Sequence, residues 1–199
     1  MSEQSRDFFE ERAEGWEERN YTPEKRSRLE EMLAGLELDP GGAVLDVGCG
    51  EGVLLPYLRD IMGAEARIIA LDPSAAMLRG AAAKGGGALI IQGRAEDIPL
   101  ESGTLDRIIC FAAFPHIEDK AAAASEFHRL LKPGGLAWVL HLGSRAEINQ
   151  HHDGHEAVRG EHLPCPTGMR KIFTEAGFSS LTLEDESGRY IFSARKEKA

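Results

Sequence analysis

The 199-residue sequence is poor in cysteine, in long apolar runs and in basic charge. Its three cysteines have neither the pairing nor the spacing of a disulfide framework or a metal site, so we expect a reducing compartment, the cytoplasm. No stretch approaches the roughly 20 apolar residues that span a bilayer, and the acidic start lacks the apolar core of a signal peptide, so we expect no membrane partner. Lys and Arg number 23 against 33 Asp and Glu, a formal charge of −10. This charge argues against a nucleic-acid partner, because binding to a phosphate backbone needs a basic surface.

Glycine is abundant, with 22 residues, and three of them lie in the most informative segment. Residues 44–52 read Val-Leu-Asp-Val-Gly-Cys-Gly-Glu-Gly: an apolar strand with an acid, then glycines at alternate positions. Glycines let the backbone turn sharply and let a ligand approach it without a Cβ in the way. A dinucleotide fingerprint needs its third glycine at position 53, which is Val, so the spacing disfavours a nicotinamide-dependent oxidoreductase.

Short, continuous apolar strands alternate with helical segments along most of the chain. We predict strands at 43–47, 68–71, 88–92, 107–111 and 136–141, with helices in the connections. Such strands are typical of a parallel sheet that helices cover on both faces, hence of a three-layer α/β sandwich.

The two ends of the chain depart from this alternation. Apolar residues recurring every three to five positions predict one helix over residues 5–20, and Thr22 is expected to cap a second helix. Near the C-terminus, Thr167 is expected to cap a helix that precedes two hairpin strands, 181–183 and 190–194.

Segment 44–52 resembles the first motif of the class I methyltransferases that use S-adenosylmethionine. An Asp-Pro-Ser turn at 72–74, the segment 93–100 and the Lys-Pro-Gly-Gly turn at 132–135 follow in that family's order. Residues 8–16 resemble the opening segment of the ubiquinone/menaquinone-biosynthesis type, which methylates small molecules. The resemblance implies a Rossmann-like three-layer sandwich with a seven-stranded, mostly parallel sheet and an antiparallel C-terminal hairpin strand.

We therefore expect a single methyltransferase domain over residues 1–199. Its expected parts are an N-terminal helical cap at 1–40, a cofactor-binding core at 41–141, a histidine-rich insertion or lid at 142–166, and a C-terminal helix and β-hairpin at 167–199.

The resemblance also assigns cofactor contacts. Asp46 and the glycine-loop amides would hold the amino-acid end of S-adenosylmethionine, and Asp72 would bind the ribose diol. Where the family usually has an acid this chain has Arg94, which cannot accept a hydrogen bond, so the backbone around Ala95 and the side chain of Glu96 would meet the adenine. The expected cofactor residues are Asp46, Gly48, Cys49, Gly50, Gly52, Asp72, Pro73, Met77, Arg94, Ala95, Glu96 and Phe111.

Methyl transfer depends mainly on orientation and exclusion of water, and it needs a general base only when the acceptor must lose a proton. His116, which follows the fourth strand, is the first candidate for a catalytic base, and His141, at the end of the fifth strand, is the second. A purely structural role stays open for both. The expected substrate contacts are Trp16, Tyr21, Arg145, Asn149 and His152.

The leading hypothesis is an enzyme that transfers a methyl group from S-adenosylmethionine to a small molecule by in-line displacement, as a monomer or homodimer. Two alternatives stay open: a sensor or scaffold that binds S-adenosylmethionine without turnover, and a metal-handling protein that uses the five histidines between residues 141 and 162. His151 and His155 would share one face of a helix, but no cysteine or carboxylate completes a metal-site spacing, so no metal is expected. The acceptor itself is not identified by the sequence.

Overall fold

The computed structural model describes residues 3–84 and 86–198, and of Glu3 the backbone only. In chain order its elements are α1 (Glu3–Arg12), α2 (Trp16–Asn20), α3 (Pro23–Ala34), β1 (Ala43–Val47), α4 (Leu55–Met62), β2 (Arg67–Asp72), α5 (Ala75–Ala83), β3 (Leu89–Gln92), β4 (Leu105–Phe111), a 3₁₀ turn (Phe114–His116), α6 (Lys120–Leu130), β5 (Leu131–His141), α7 (Arg145–Asp153), a second 3₁₀ turn (Glu156–Val158), α8 (Pro166–Glu175), β6 (Ser180–Glu186) and β7 (Arg189–Arg195).

Seven strands of the described residues form one sheet in the order β3-β2-β1-β4-β5-β7-β6. Strands β1 to β5 pair in parallel, whereas β7 runs antiparallel to both β5 and β6. The predicted Rossmann-like sandwich, with its antiparallel C-terminal hairpin, is confirmed.

Each face of the sheet is covered by a separate apolar layer. Phe127 of α6 and Phe173 of α8 pack on one face, and Leu33, Leu58 and Leu78 of α3, α4 and α5 pack on the other. Strand β1 is buried along its whole length, which explains why it reads as an uninterrupted apolar run around one acid. In the described ranges, no helix is both long and apolar enough to cross a membrane.

The N-terminal part differs from the prediction of one helix over 5–20. Helix α1 ends at Arg12 and α2 begins at Trp16, because Gly15 between them has a left-handed φ of 67° that interrupts the helix. Thr22 caps α3 as predicted, by accepting a hydrogen bond from the amide of Lys25. The break turns the chain, and both short helices border the cavity described below.

Several predicted boundaries also shift. Helix α4 begins at Leu55, because residues 51–54 form turns after the glycine segment. Helix α8 begins at Pro166 with Cys165 as its N-cap, so Thr167 lies inside the first turn and is not the cap; proline suits that first position because its missing N–H would have no helical partner there. The 142–166 insertion contains α7, which begins in a capping box formed by Ser144 and Glu147.

The carboxyl ends of the parallel strands meet at one edge of the sheet. Asp46 lies near the end of β1, while Asp72, Phe111 and His141 are the last residues of β2, β4 and β5. Open α/β sheets bind ligands outside this edge, and the candidate site lies there.

Candidate active site

The glycine loop after β1 is fixed by its backbone conformation and by close packing. Gly48, Gly50 and Gly52 have φ angles of 72°, 54° and 80°, which other residues rarely adopt. A Cβ on Gly48 would lie 2.3 Å from the Cβ of Ala113, and one on Gly52 would lie 2.8 Å from a methyl carbon of Leu55. The chain therefore needs glycine at these positions for its own packing, in addition to any contact with a ligand.

Asp72 joins the glycine loop to the start of α5. Its Oδ2 accepts a hydrogen bond of 2.9 Å from the amide of Gly50, and its Oδ1 accepts one of 2.8 Å from the amide of Ser74. Burial raises the pKa of Asp72, and these two hydrogen bonds offset part of that rise. Ser74 in turn caps α5 by accepting a hydrogen bond from the amide of Met77. Asp72 thus holds two walls of the cavity together while lining the cavity itself.

Asp46 is almost completely buried, and its Oδ2 has no hydrogen-bond partner among the described residues. Burial, with the nearby Asp72 carboxylate, raises the pKa of Asp46 to about 8. An unpartnered buried carboxyl at a cavity wall suits a cationic ligand, because the ligand's charge would offset the cost of ionising the acid. S-adenosylmethionine carries such charges on its ammonium and sulfonium groups, so the residues present fit it.

One cavity of about 810 Å³ runs along the carboxyl edge of the sheet, a volume within the range of about 300–1,000 Å³ that small-molecule sites occupy. Eleven of the twelve expected cofactor residues line it. The exception is Gly52, whose position packs against Leu55 and Ala81 and so serves the loop's shape. We call the end lined by Asp46, Asp72 and the glycine loop the carboxylate half.

The positive charge of Arg94, in the expected adenine region, is paired with two carboxylates. Its guanidinium lies 3.1 Å from Glu96 and 3.2 Å from Glu118, and about half of its side chain is exposed. Burial opposes the ionisation of Glu96, but hydrogen bonds and nearby positive charge, with Arg94 foremost, together lower the pKa of Glu96. Arg94 therefore holds a carboxylate at the cavity wall, although it cannot itself accept a hydrogen bond.

The other end of the cavity, which we call the imidazole half, collects His116, His141 and His152. The rings of His116 and His152 have centroids 4.8 Å apart, and Phe9 of α1 contacts His116 edge-on at 5.0 Å. His141 is buried, its Nε2 has no partner among the described residues, and burial lowers its pKa to about 3. His141 is therefore neutral near pH 7, and it presents a hydrogen-bonding group at the cavity wall.

The sequence-predicted substrate residues divide into two groups. Trp16, Tyr21 and His152 line the cavity. Arg145 and Asn149 lie outside the set of residues that line it. Asn149 clamps the backbone of Leu163, donating to its carbonyl oxygen at 3.1 Å and accepting from its amide at 2.8 Å, and the amide of Arg145 donates to Asp185. These contacts place both residues in the packing of α7.

The sequence analysis missed two acidic residues that lie behind the cavity wall and bind residues at it. Glu10 of α1 accepts hydrogen bonds from the hydroxyl of Ser74 and from the amide of Ala76, at the start of α5. Glu161 lies 2.6 Å from Nδ1 of His116. Both contacts join residues at least 45 positions apart, so no local spacing in the sequence could have revealed them.

The histidine-rich segment does not form the metal pair that a continuous helix would give. Helix α7 ends at Asp153, so His155 lies beyond it, although the rings of His151 and His155 approach to 4.4 Å. Over residues 3–84 and 86–198, no three His, Cys, Asp or Glu side chains converge as metal ligands would.

Comparisons with known proteins agree with this geometry. Residues 45–139 match the methyltransferase domain family. The chain is 39% identical over 114 residues to the malonyl-[acyl-carrier protein] O-methyltransferase of Yersinia pestis, an alignment that covers 55% of this chain and 41% of that protein. Residues 45–139 are therefore a methyltransferase domain.

Further relatives extend the match on both sequence and fold. The chain is 31% identical over 106 residues to the ubiquinone/menaquinone biosynthesis C-methyltransferase UbiE of a Marinomonas species, an alignment that covers 50% of this chain and 42% of that protein. A putative methyltransferase solved in complex with the Trm112 activator of Haloferax volcanii has the same fold, with a TM-score of 0.76, 20% identity and 99% coverage of both chains. The chain spans about half or less of the length of the curated relatives it matches. The cofactor that the domain implies is S-adenosylmethionine.

Proposed function

We propose that this protein transfers a methyl group from S-adenosylmethionine to a small molecule held in the imidazole half of the cavity. The observation that carries the proposal is one cavity with carboxylates and glycine amides at one end and an apolar, imidazole-lined wall at the other. When bound, S-adenosylmethionine supplies an electrophilic methyl group on a positively charged sulfur. Asp46, Asp72 and the glycine-loop amides would hold it, and Pro73, Met77 and Phe111 would flank it.

The rest of the machinery would orient the acceptor and exclude water, which is the main work of a methyltransferase. Phe8 and Phe9 of α1 cover the imidazole half, and Phe8, Phe9 and Trp16 contact one another edge-on, with centroids 5.2 to 6.2 Å apart. Tyr21 packs against Phe111 where the two halves meet. His116 would act as the base and His141 would hold a polar group of the acceptor.

A small acceptor suits the acidic surface better than a nucleic acid does, because the chain carries a formal charge of −10. The similar proteins act on different atoms, an oxygen in the malonyl-[acyl-carrier protein] enzyme and a carbon in the quinone enzyme, so family membership leaves the acceptor atom open. We further propose that the protein works in the cytoplasm, as a monomer or homodimer, with the three cysteines reduced.

The first test is calorimetric titration with S-adenosylmethionine, followed by detection of S-adenosylhomocysteine in the presence of small acceptors. We expect micromolar binding by the wild type and loss of binding in Asp72→Ala. Asp106→Ala is the matched control: Asp106 also accepts a backbone hydrogen bond, from Ala43, but at the opposite end of the sheet, so it should keep binding while losing stability. Absence of binding in the wild type would contradict the proposal, and binding without transfer to any acceptor would favour a sensor.

A further inference from the structure

Glu161 lies in the connection between α7 and α8 and has no assigned role. One of its carboxylate oxygens lies 2.6 Å from Nδ1 of His116, and the other accepts a hydrogen bond from the hydroxyl of Ser5 on α1. The backbone oxygen of Glu161 also accepts from Nδ1 of His152. The side chains of Glu161 and His116 are 18% and 13% exposed, so water competes little for their contact. Glu161 thus connects α1, α7 and the 3₁₀ turn that follows β4 at one point.

This contact fixes which nitrogen of His116 carries the proton. An ionised carboxylate only accepts hydrogen bonds, so Nδ1 of His116 is the donor. The neutral ring then has its lone pair on Nε2, which makes no hydrogen bond to any described residue, and the ring lines the cavity. His116 can therefore accept a proton from a molecule in the imidazole half.

Among the histidines that line the cavity, the described contacts give only His116 a carboxylate partner. Burial lowers the pKa of both His141 and His152, so these two rings disfavour a proton. The other charged groups that act on this cluster are Lys120, whose field reaches Glu161, and Asp72, which His116 influences. An imidazolium formed at His116 would lie beside the carboxylate of Glu161, 2.6 Å from Nδ1.

We infer that Glu161 positions His116 as a general base, and that the acceptor is a neutral molecule with a weakly acidic hydroxyl or thiol on an apolar body. The inference rests on the proposed function. The wall around the imidazoles supports the apolar body, since it is formed by Phe9, Trp16, Ile148 and Val158. A cationic amine would find no free carboxylate beside His116, because Glu161 is already bound to His116 and Ser5.

In this arrangement the acceptor loses one proton and gains one methyl group. The acceptor gives its proton to Nε2 of His116, and its electron pair forms the new bond to the methyl carbon. The electron pair of the broken carbon–sulfur bond stays on sulfur, which becomes a neutral thioether. The positive charge thereby moves from the sulfonium to the imidazolium of His116, where Glu161 stabilises it, and the proton later passes to solvent.

The tautomer can be measured without turnover. Long-range ¹H–¹⁵N correlation spectra of labelled protein should show His116, assigned by comparison with His116→Asn, with its proton on Nδ1. Glu161→Gln should keep this tautomer, because an amide oxygen still accepts, whereas Glu161→Ala should shift the proton toward Nε2. A wild-type ring protonated on Nε2 would overturn the inference. Unchanged binding of S-adenosylmethionine would show that each variant is folded.

Kinetics provide the second measurement, with phenols and thiols of graded acidity as probes. Loss of the negative charge that stabilises the imidazolium of His116 should lower kcat of Glu161→Gln by about ten- to a hundredfold on weakly acidic acceptors, with KM little changed. The loss should disappear for a thiophenol that is already ionised at the assay pH. Asp153→Asn is the matched control, because Asp153 pairs with His162 at 2.8 Å in the same segment but at the surface.

Two results would overturn the inference: a loss of equal size for every acceptor, or transfer to tertiary amines with none to hydroxyls or thiols. Failure of the proposed function is a different result, because it shows as absent cofactor binding in the wild type.

Discussion

The carboxylate half of the cavity comes from consecutive elements, whereas the imidazole half is assembled from distant ones. Asp46, the glycine loop and Asp72 follow one another over β1, α4 and β2, and the hydrogen bond between Asp72 and Gly50 spans 22 positions. The imidazole half takes His116 from a 3₁₀ turn, His141 from the end of β5, His152 from α7 and Glu161 from a loop, and α1 supplies the cover. One half is specified locally and the other by tertiary packing.

The two halves also differ in the charge they can accept. Burial and the neighbouring Asp72 carboxylate raise the cost of ionising Asp46, so the carboxylate half gains from a cationic ligand. The imidazole half has one carboxylate bound to one histidine, beside two rings that disfavour a proton, so it suits a neutral ligand that loses a proton. The charges of the two halves therefore suit the two ligands of a methyl transfer: the carboxylate half suits the cationic cofactor, and the imidazole half suits the neutral acceptor.

The largest expected effect comes from Gly48→Ala, which tests whether the carboxylate half is as rigid as its packing indicates. The new Cβ would lie 2.3 Å from Ala113, at a φ of 72°. We expect affinity for S-adenosylmethionine to fall by about a hundredfold or more, which corresponds to about 3 kcal/mol, measured by calorimetry. Gly63→Ala is the control, because its φ of 83° imposes similar backbone strain with no atom within 4 Å of the new Cβ. Equal binding by both variants would contradict the rigid-loop interpretation.

The second prediction concerns Asp46→Asn, which separates stability from binding in the same half. The folded-state pKa of Asp46 is about 8, above that of an unfolded chain, so the folded protein binds more protons. The contribution of the Asp46 carboxyl to the stability of the fold is fully present below the pKa that this group has in the unfolded chain, and it is lost as the pH rises toward 8. The variant cannot ionise there, so without cofactor it should melt several degrees higher than wild type at about pH 8.5, with a smaller difference at about pH 5.

Cofactor binding should respond in the opposite direction. Wild-type affinity for S-adenosylmethionine should rise between about pH 6 and pH 8, as Asp46 ionises beside the cation. In Asp46→Asn we expect affinity about ten- to a hundredfold weaker and a flatter pH dependence, since a charge-assisted contact is lost. A variant that melts lower than wild type and binds equally well would show that Asp46 is a structural residue only.

The sequence predicted more of the carboxylate half than of the imidazole half. The strands of the parallel sheet were predicted from apolar runs, and the cofactor residues from an acid and glycines that resemble a family motif, because these patterns are local. Gly15 shows the limit for helices: apolar periodicity continues across residues 5–20, but one left-handed glycine divides the segment. Arg145 and Asn149 show the limit for contacts, since a helix can place a polar side chain toward its own connection as readily as toward a cavity.

The third prediction tests the imidazole half without touching the proposed base. His141→Phe keeps a ring against Tyr190, which it contacts edge-on at 6.0 Å, but removes the unpartnered Nε2. We expect KM for a hydroxyl or thiol acceptor to rise by about five- to tenfold, the value of one hydrogen bond, with affinity for S-adenosylmethionine unchanged. His128→Phe is the control, because the imidazole of His128 contacts Phe178 away from the cavity. This variant should change neither KM nor the affinity for S-adenosylmethionine. A fall in cofactor affinity instead would show that the two halves are not separate.

The smallest effect is expected at α1, the element that touches both halves. Glu10 binds the start of α5 beside the carboxylate half, and Ser5 of the same helix binds Glu161 beside the imidazole half. Removing the charge with Glu10→Gln should raise the dissociation rate of S-adenosylmethionine by about two- to fivefold, because a carboxylate at a helix N-terminus contributes about 0.3–1 kcal/mol. Glu11→Gln, exposed on the same helix, should leave the rate unchanged in stopped-flow measurements. Ser5→Ala changes a contact beside the imidazole half only. If it also raises the dissociation rate of S-adenosylmethionine, then α1 couples the two halves mechanically, although their charges keep their ligands apart.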